Sequence, residues 1–243
     1  MSSTIAFSQF QVVGYESDRE SDSNKSTDSN PFAGMDVEQR AQEVTASVST
    51  VEVGGQNILL SQDLGGGCGG KTWEAAFVMA DYFAWKQNLH GKRIIELGSG
   101  TGLVGLAIAK MFALDKMLIT DQRPMLGLMH ENIRLNQLSE SVQAGILDWG
   151  EPLPDDANYI PDVILASDCV YLEVAFQPLL DTLMMLADQK TDIYLSYRKR
   201  RKADKRFFQL ARKKFVITEI RGDHPKQEIY GKQGLHLYLF KKK

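Results

Sequence analysis

The segment Lys92–Gly105, KRIIELGSGTGLVG, constrains the fold of this chain more than any other. A short apolar run at Arg93–Leu97 enters a turn with glycine at 98, 100 and 102, and a second apolar run begins at Leu103. A strand that passes through such a turn into a helix is a βα unit. Its glycines let backbone approach a ligand closely, and the helix N-terminus offers free N–H groups. The same alternation continues downstream. It predicts further strands at Met117–Thr120, Val142–Leu147, Val163–Ser167, Ile193–Tyr197, Phe215–Arg221 and Leu235–Phe240. It predicts helices at Trp73–Lys86, Leu103–Phe112, Pro124–Asn136, Glu173–Ala187 and Lys202–Lys213. Strands alternating with helices of that length build an α/β, doubly wound, mostly parallel sheet, here of seven strands. The last two are separated only by the loop-like stretch 222–234, so no helix is expected between them and they should form an antiparallel C-terminal pair.

Charge divides the chain unevenly. Residues 1–45 hold eight acids and three bases, a net −5, and Glu16–Asn30 is nearly free of apolar side chains. Such a segment buries too little apolar surface to offset its ordering entropy, so a disordered tail is expected over 1–45 and one folded domain over 46–243. The whole chain carries a net charge of −3, which gives no global reason to expect nucleic-acid binding. The longest apolar run, Gly102–Ala109, is far short of a membrane helix, and the N-terminus has no basic region followed by an apolar core. Cys68 and Cys169 form no disulfide framework, and the four histidines (90, 130, 224, 236) make no ligand pair at helical spacing, so no metal is expected. A cytoplasmic protein, monomeric by default, is the starting expectation.

Two cofactor patterns fit the turn. Gly100, Gly102 and Gly105 spell G-x-G-x-x-G, the dinucleotide pattern, with Asp121 about 20 residues further on. Glu96, Gly98, Gly100 and Gly102 spell E-x-G-x-G-x-G, the pattern of S-adenosyl-L-methionine (AdoMet) enzymes. Both place an acid, here Asp121, to accept hydrogen bonds from ribose hydroxyls. Separation comes from downstream. No hydride-transfer residue set is evident, whereas Asp148-Trp149 follows the third strand, where an adenine ring would meet an indole face and an acceptor.

The fourth strand ends in Ser167-Asp168-Cys169-Val170-Tyr171, with an acid and a phenol three apart at a carboxyl strand end. Here the chain resembles the seven-strand, Rossmann-like, AdoMet-dependent protein-lysine methyltransferases of family 16, whose signature D-x-x-Y is Asp168 to Tyr171. The resemblance covers about residues 50–240 and includes WEAA at 73–76, ELGSGTGLVG at 96–105, Asp121, SVQAGILDWGE at 141–151 and SDCVYLEVAFQPLLDTL at 167–183. It implies that Trp73, Glu96, Gly98, Ser99, Gly100, Asp121, Asp148, Trp149 and Ser167 form the AdoMet site, and that Asp168 and Tyr171 stand at the acceptor entrance. Within the family, the likeness is to enzymes acting on elongation factor 1-alpha first and on the valosin-containing AAA ATPase second. Two departures stand out: Ser167 where alanine is common, which is harmless if its backbone makes the contact, and a glycine-rich segment over 65–70 that loosens the substrate-side loop. The absence of proline between Asp168 and Tyr171 argues against amide or amino-adenine acceptors and for an amine.

The resulting expectation is a protein-lysine N-methyltransferase in which Asp168 captures and orients the lysine head and Tyr171 packs or hydrogen-bonds beside it. Alternatives are a methyltransferase for a small amine or nucleic acid, an AdoMet-binding adaptor without catalysis and, more distantly, a nicotinamide dehydrogenase. Arg198–Lys214 carries ten bases and one acid. It reads as the solvated face of the helix after strand five, with Phe207, Phe208 and Leu210 or Ala211 toward the sheet. Lys199-Arg200-Arg201-Lys202 also fits a nuclear signal, and the run could instead dock an acidic patch. Cys169 reads as a small buried filler.

Overall fold

The computed structural model describes residues 48–63, 65, 68–86, 88–221 and 226–243, so the tail expected over 1–45 lies outside the described residues. The described chain opens with an antiparallel hairpin, β1 (Ser49–Val53) and β2 (Gln56–Leu60), turned by Gly54-Gly55. This hairpin is not among the strands expected from the sequence, because five residues a side give too short an alternation to stand out. Helix α1 (Glu74–Lys86) then leads into a seven-stranded sheet. Its strands are β3 (Arg93–Leu97), β4 (Lys116–Asp121), β5 (Gln143–Ile146), β6 (Val163–Ser167), β7 (Asp192–Arg198), β8 (Phe215–Glu219) and β9 (Leu235–Lys242). They lie in the order β5-β4-β3-β6-β7-β9-β8. β3 to β7 run parallel, and β9 runs antiparallel to both of its neighbours.

The connections α2 (Leu103–Met111), α3 (Leu126–Leu135), α4 (Phe176–Leu186) and α5 (Asp204–Ala211) cover both faces. Ile94, Met117, Ile119 and Leu165 pack with the hairpin, α1, α2 and α3. Their strand neighbours Ile95, Leu118, Ile164 and Ala166 pack with α4 and α5. Burial on both faces is why these strands read as continuous apolar runs rather than as alternation. Two expected helix starts, at Pro124 and Glu173, are single 3-10 turns at Arg123–Met125 and Glu173–Ala175 that precede α3 and α4.

One connection differs from expectation. The stretch between β8 and β9 contains a short helix, α6 (Gln227–Lys232). Six residues with no apolar stripe are below what local propensity supports. A tertiary contact holds the helix instead: Tyr230 is buried, and its hydroxyl donates to the Asp81 carboxylate on α1.

Asparagines on α3 tie the hairpin to the glycine turn. Asn132 Oδ1 accepts the Ser61 N–H at 2.7 Å, and its Nδ2 donates to the carbonyls of Ser61 and Thr101, both at 3.0 Å. Asn136, at the helix end, repeats the pattern on Leu59 at 2.9 and 2.7 Å. The two amides thus act as a strand partner for the edge of β2 and its continuation. Asn132→Leu orphans a buried N–H and two carbonyls, and should cost about 3 kcal/mol of unfolding free energy. Urea denaturation measures it, and a loss under about 1 kcal/mol would contradict this role.

Candidate active site

The chain lays down β3, β4 and β5 outward and then returns to place β6 on the other side of β3. At such a reversal the connections from the two central strands diverge, leaving a crevice at their carboxyl ends. A cavity of about 650 Å³ lies there. Every site residue expected from the sequence lines it: Trp73 before α1, Glu96 on β3, Gly98, Ser99 and Gly100 in the following turn, Asp121 ending β4, Asp148 and Trp149 after β5, and Ser167, Asp168 and Tyr171 at the end of β6. Among the described residues, no group of three or more His, Cys, Asp or Glu could hold a metal ion.

The turn is held by its neighbours on both sides. Gly98 has φ 61°, and a Cβ there would stand 3.0 Å from the Trp149 ring and 3.1 Å from Cys169 Sγ. Gly100 has φ 54°, and its Cβ would meet the Gly69 carbonyl at 2.6 Å. A side chain at either position is therefore strained twice, by backbone and by contact. Asp121 Oδ2 accepts the Gly100 N–H at 2.8 Å, and Oδ1 accepts the Gln122 N–H at 2.7 Å. Burial raises the Asp121 pKa and these two hydrogen bonds oppose the rise. A carboxylate has about four lone-pair sites, so roughly two remain for a ligand. Glu96 is buried and gives Oε2 to the Gly105 N–H at 2.9 Å. Burial pushes its carboxyl up to about 8, against the hydrogen bonds from Gly105 and Ser99. Glu96 therefore lines the cavity as a mostly neutral buckle between strand and helix. Trp73 donates its indole N–H to the Cys68 carbonyl at 2.9 Å, which fixes the ring in the wall. Cys169 is buried and donates to the Leu97 carbonyl at 3.3 Å; burial pushes its thiol well up, which suits the filler role.

The β6 end carries the least ordinary backbone. Asp168 adopts φ 56°, and its N–H donates to the Ser196 carbonyl at 2.7 Å. A left-handed non-glycine residue costs on the order of 1–3 kcal/mol and persists where the surroundings impose it. Its carboxylate, 6% exposed, is gripped by Arg200 through two parallel bonds of 2.8 and 2.6 Å. Arg201 donates to the Tyr171 carbonyl and, at 3.2 Å, to Asp204.

These contacts correct the reading of the basic run. Phe207, Phe208 and Ala211 do face the core, as expected. Arg200, however, turns into the site instead of joining a solvated face, Arg201 stays half-exposed beside it with a bond to the Tyr171 carbonyl, and the Asp168 carboxylate is a paired group rather than a free one. Composition hides Arg200, because the charge run reads as a whole. The signal was its place, two residues past the carboxyl end of a parallel strand beside β6, where the crevice rule applies as it does to β3 to β6.

Comparison with known proteins agrees with this geometry. A family model described as lysine methyltransferase matches residues 53–214. The protein-lysine N-methyltransferase EFM6 of Saccharomyces cerevisiae is 38% identical over 199 residues, spanning 71% of this chain and 80% of that protein. The protein N-lysine methyltransferase METTL21A of Danio rerio is 40% identical over 172 residues, spanning 68% and 78%. EEF1A lysine methyltransferase 3 of Xenopus tropicalis is 30% identical over 183 residues, spanning 72% and 79%. Among solved structures, the T. thermophilus 16S rRNA N2 G1207 methyltransferase in complex with AdoMet and guanosine aligns with a TM-score of 0.59 at 16% identity, over 81% of this chain and 50% of that one. At that identity the likeness is one of fold.

Glu96 gives a pH test of the buckle. Its folded value near 8 lies above an ordinary 4.5, so the folded chain holds a proton that the unfolded chain releases. Stability from this group is therefore full below pH 4.5 and is lost as pH rises toward 8. Glu96→Gln keeps an acceptor for Gly105 and removes the titration. Denaturant titrations should find the variant more stable than wild type at pH 9, with the gap closing near pH 5; parallel pH profiles would contradict the assignment.

Proposed function

The chain belongs to the lysine methyltransferase family, an AdoMet-dependent family of enzymes, and on that premise we propose that it methylates a lysine of elongation factor 1-alpha in the cleft at the β3–β6 reversal. The observation that carries the site is the convergence of the E-x-G-x-G-x-G turn, Asp121, Asp148-Trp149 and Asp168–Tyr171 on a single cavity. Support for a protein acceptor comes from the mouth of that cavity. Tyr171, Leu172 and Val174 line it and are 39%, 48% and 84% exposed, an apolar rim suited to a protein surface. Support for the elongation factor comes from the relative that is named for it.

The residues fit AdoMet. The cavity has the size of a small-molecule site and an acid-rich lining of Asp121, Asp148, Glu151 and Asp168 against Lys71 and Arg200, which favours a cationic ligand. AdoMet, when bound, supplies an electrophilic methyl on a sulfonium. Asp121 offers its remaining lone pairs to the ribose hydroxyls, Trp149 and Asp148 hold the adenine, and Trp73, Gly98, Ser99, Gly100 and Ser167 close the wall. Lysine attacks as the neutral amine, and with a reference pKa near 10.4 neutrality at pH 7.4 costs about 4 kcal/mol. Asp168 accepts an amine N–H and aims the nitrogen lone pair, while Tyr171 narrows the entrance. Holding the reacting atoms in line supplies about 7–11 kcal/mol of the barrier reduction.

Purified elongation factor 1-alpha incubated with this chain and tritiated AdoMet should take label. Asp168→Ala should lower the rate at least about 100-fold while AdoMet still binds by calorimetry. Label in a different protein of a cell lysate would move the substrate assignment. Label confined to nucleic acid or small molecules would remove the lysine assignment.

A further inference from the structure

The Asp168–Arg200 pair sits at the cavity wall among several other charges. Three ion pairs crowd this end of the sheet. Arg198, on β7, reaches Glu74, on α1, at 3.1 Å. Arg201 reaches Asp204, on α5, at 3.2 Å. Asp204 also accepts the N–H groups of Arg200 and Arg201 at 3.3 and 3.2 Å. Arg200 grips Asp168 through its two terminal guanidinium nitrogens, and its guanidinium lies 5.5 Å from the Trp73 ring centre. Three carboxylates thus face three guanidiniums. The other ionisable groups around this cavity are the thiol of Cys169 and the phenol of Tyr171 on the same loop as Asp168, both pushed up by burial, Cys68 and Lys71 before α1, and Asp121, Asp148, Glu151 and the mostly protonated Glu96 on the cofactor side. Burial alone would weaken the Arg200 charge, but its hydrogen bond and attraction to Asp168, with Glu74 and Asp204 behind, keep it firmly protonated.

A bare carboxylate stabilises ammonium over amine and so holds lysine in the form that does not react. A carboxylate already matched by a guanidinium exerts little net field; Oδ1 of Asp168 also takes the Arg198 N–H at 3.3 Å, which leaves about one lone pair, on Oδ2 outside the fork, to accept an N–H. Resting on the lysine-methyltransfer reading above, we propose that Arg200 is a positioning residue that neutralises Asp168, so that the acceptor lysine docks beside an ion pair and sheds its proton at lower pH than it would beside a lone carboxylate. The ammonium first gives its proton to water. The amine lone pair then forms the new N–C bond as the C–S bond breaks, the electron pair staying on sulfur, and the methylammonium product loses its proton to solvent before any further round.

The test is the pH dependence of kcat, which reports ionisations within the enzyme–substrate complex. The protein that takes label from the wild-type chain, purified and saturating, is methylated from pH 6.5 to 10 by wild type, Arg200→Gln and Arg200→Lys. In Arg200→Gln the acidic limb should move up by about one unit, so that kcat falls about tenfold at pH 7.5 and recovers by pH 9.5, while KM at pH 7.5 falls. Arg200→Lys, which restores the positive charge, should keep the wild-type limb. The cofactor-free chain gives a second readout: n-butylamine, an ammonium at pH 7.5, should bind Arg200→Gln about tenfold more tightly than wild type in an NMR titration. A kcat loss equal at every pH would reduce Arg200 to a structural part, and a lower KM with an unmoved limb would make it a plug in the lysine seat; either overturns the proposal. If wild type labels no protein, the lysine-methyltransfer reading fails and this inference fails with it. A moving label with an unmoved limb defeats this inference alone.

Discussion

The hydrogen bond from the Gly100 N–H to the Asp121 carboxylate, 2.8 Å long, joins the turn after β3 to the end of β4, and the rest of the site is arranged around that joint. On one side, Glu96 reaches past the turn to Gly105 and seats α2 on the strand. On the other, the Gly69 carbonyl lies so close to Gly100 that no Cβ fits between them, which brings the segment carrying Trp73 over the cavity. Behind it, Thr101 is tied to Thr72 at 2.8 Å and to Asn132 at 3.0 Å, and Asn132 also takes the Ser61 N–H, so hydrogen bonds join the end of the hairpin, the turn and α3. A ligand entering here meets donors and acceptors already aimed, which is how a binding site avoids the cost of ordering its own walls.

The acceptor side follows a different physical logic. The joint at Gly100 works through backbone bonds in a buried turn, whereas the end of β6 works through charge. Asp168 is held in a left-handed conformation by the Ser196 carbonyl, and its carboxylate faces a set of guanidiniums that balance the local acids. Reaction at an amine requires that proton affinity be suppressed where the amine docks, so a balanced charge set is better suited to the task than an isolated acid. The two halves of the cavity thus differ in character: acidic and aromatic groups line one, and a carboxylate matched by a guanidinium stands in the other.

Much of this was legible in the sequence, and each exception has a physical cause. The parallel strands were legible because burial on both faces writes an unbroken apolar run, as in Val163–Ala166. That the expected residues would share one cavity was legible because, Trp73 before α1 apart, they lie at or just past the carboxyl ends of strands. The hairpin was too short an alternation to stand out, and α6 and the Asn132 clamp depend on partners far along the chain: Tyr230 on Asp81, 149 residues away, and Asn132 on Ser61, 71 residues away. Arg200 was hidden in another way. Nine other bases surround it between 198 and 214, and composition averages over a run in which a single guanidinium is spent on the site.

The account rests on methyl transfer to the ε-nitrogen of a lysine, and mapping the product by mass spectrometry tests that most directly. The protein labelled by the wild-type chain is digested, and its modified peptide is fragmented to locate the methyl group. The account predicts one or more methyl groups on the side chain of a single lysine. A methyl on a glutamine amide, a histidine ring or a chain terminus would contradict it.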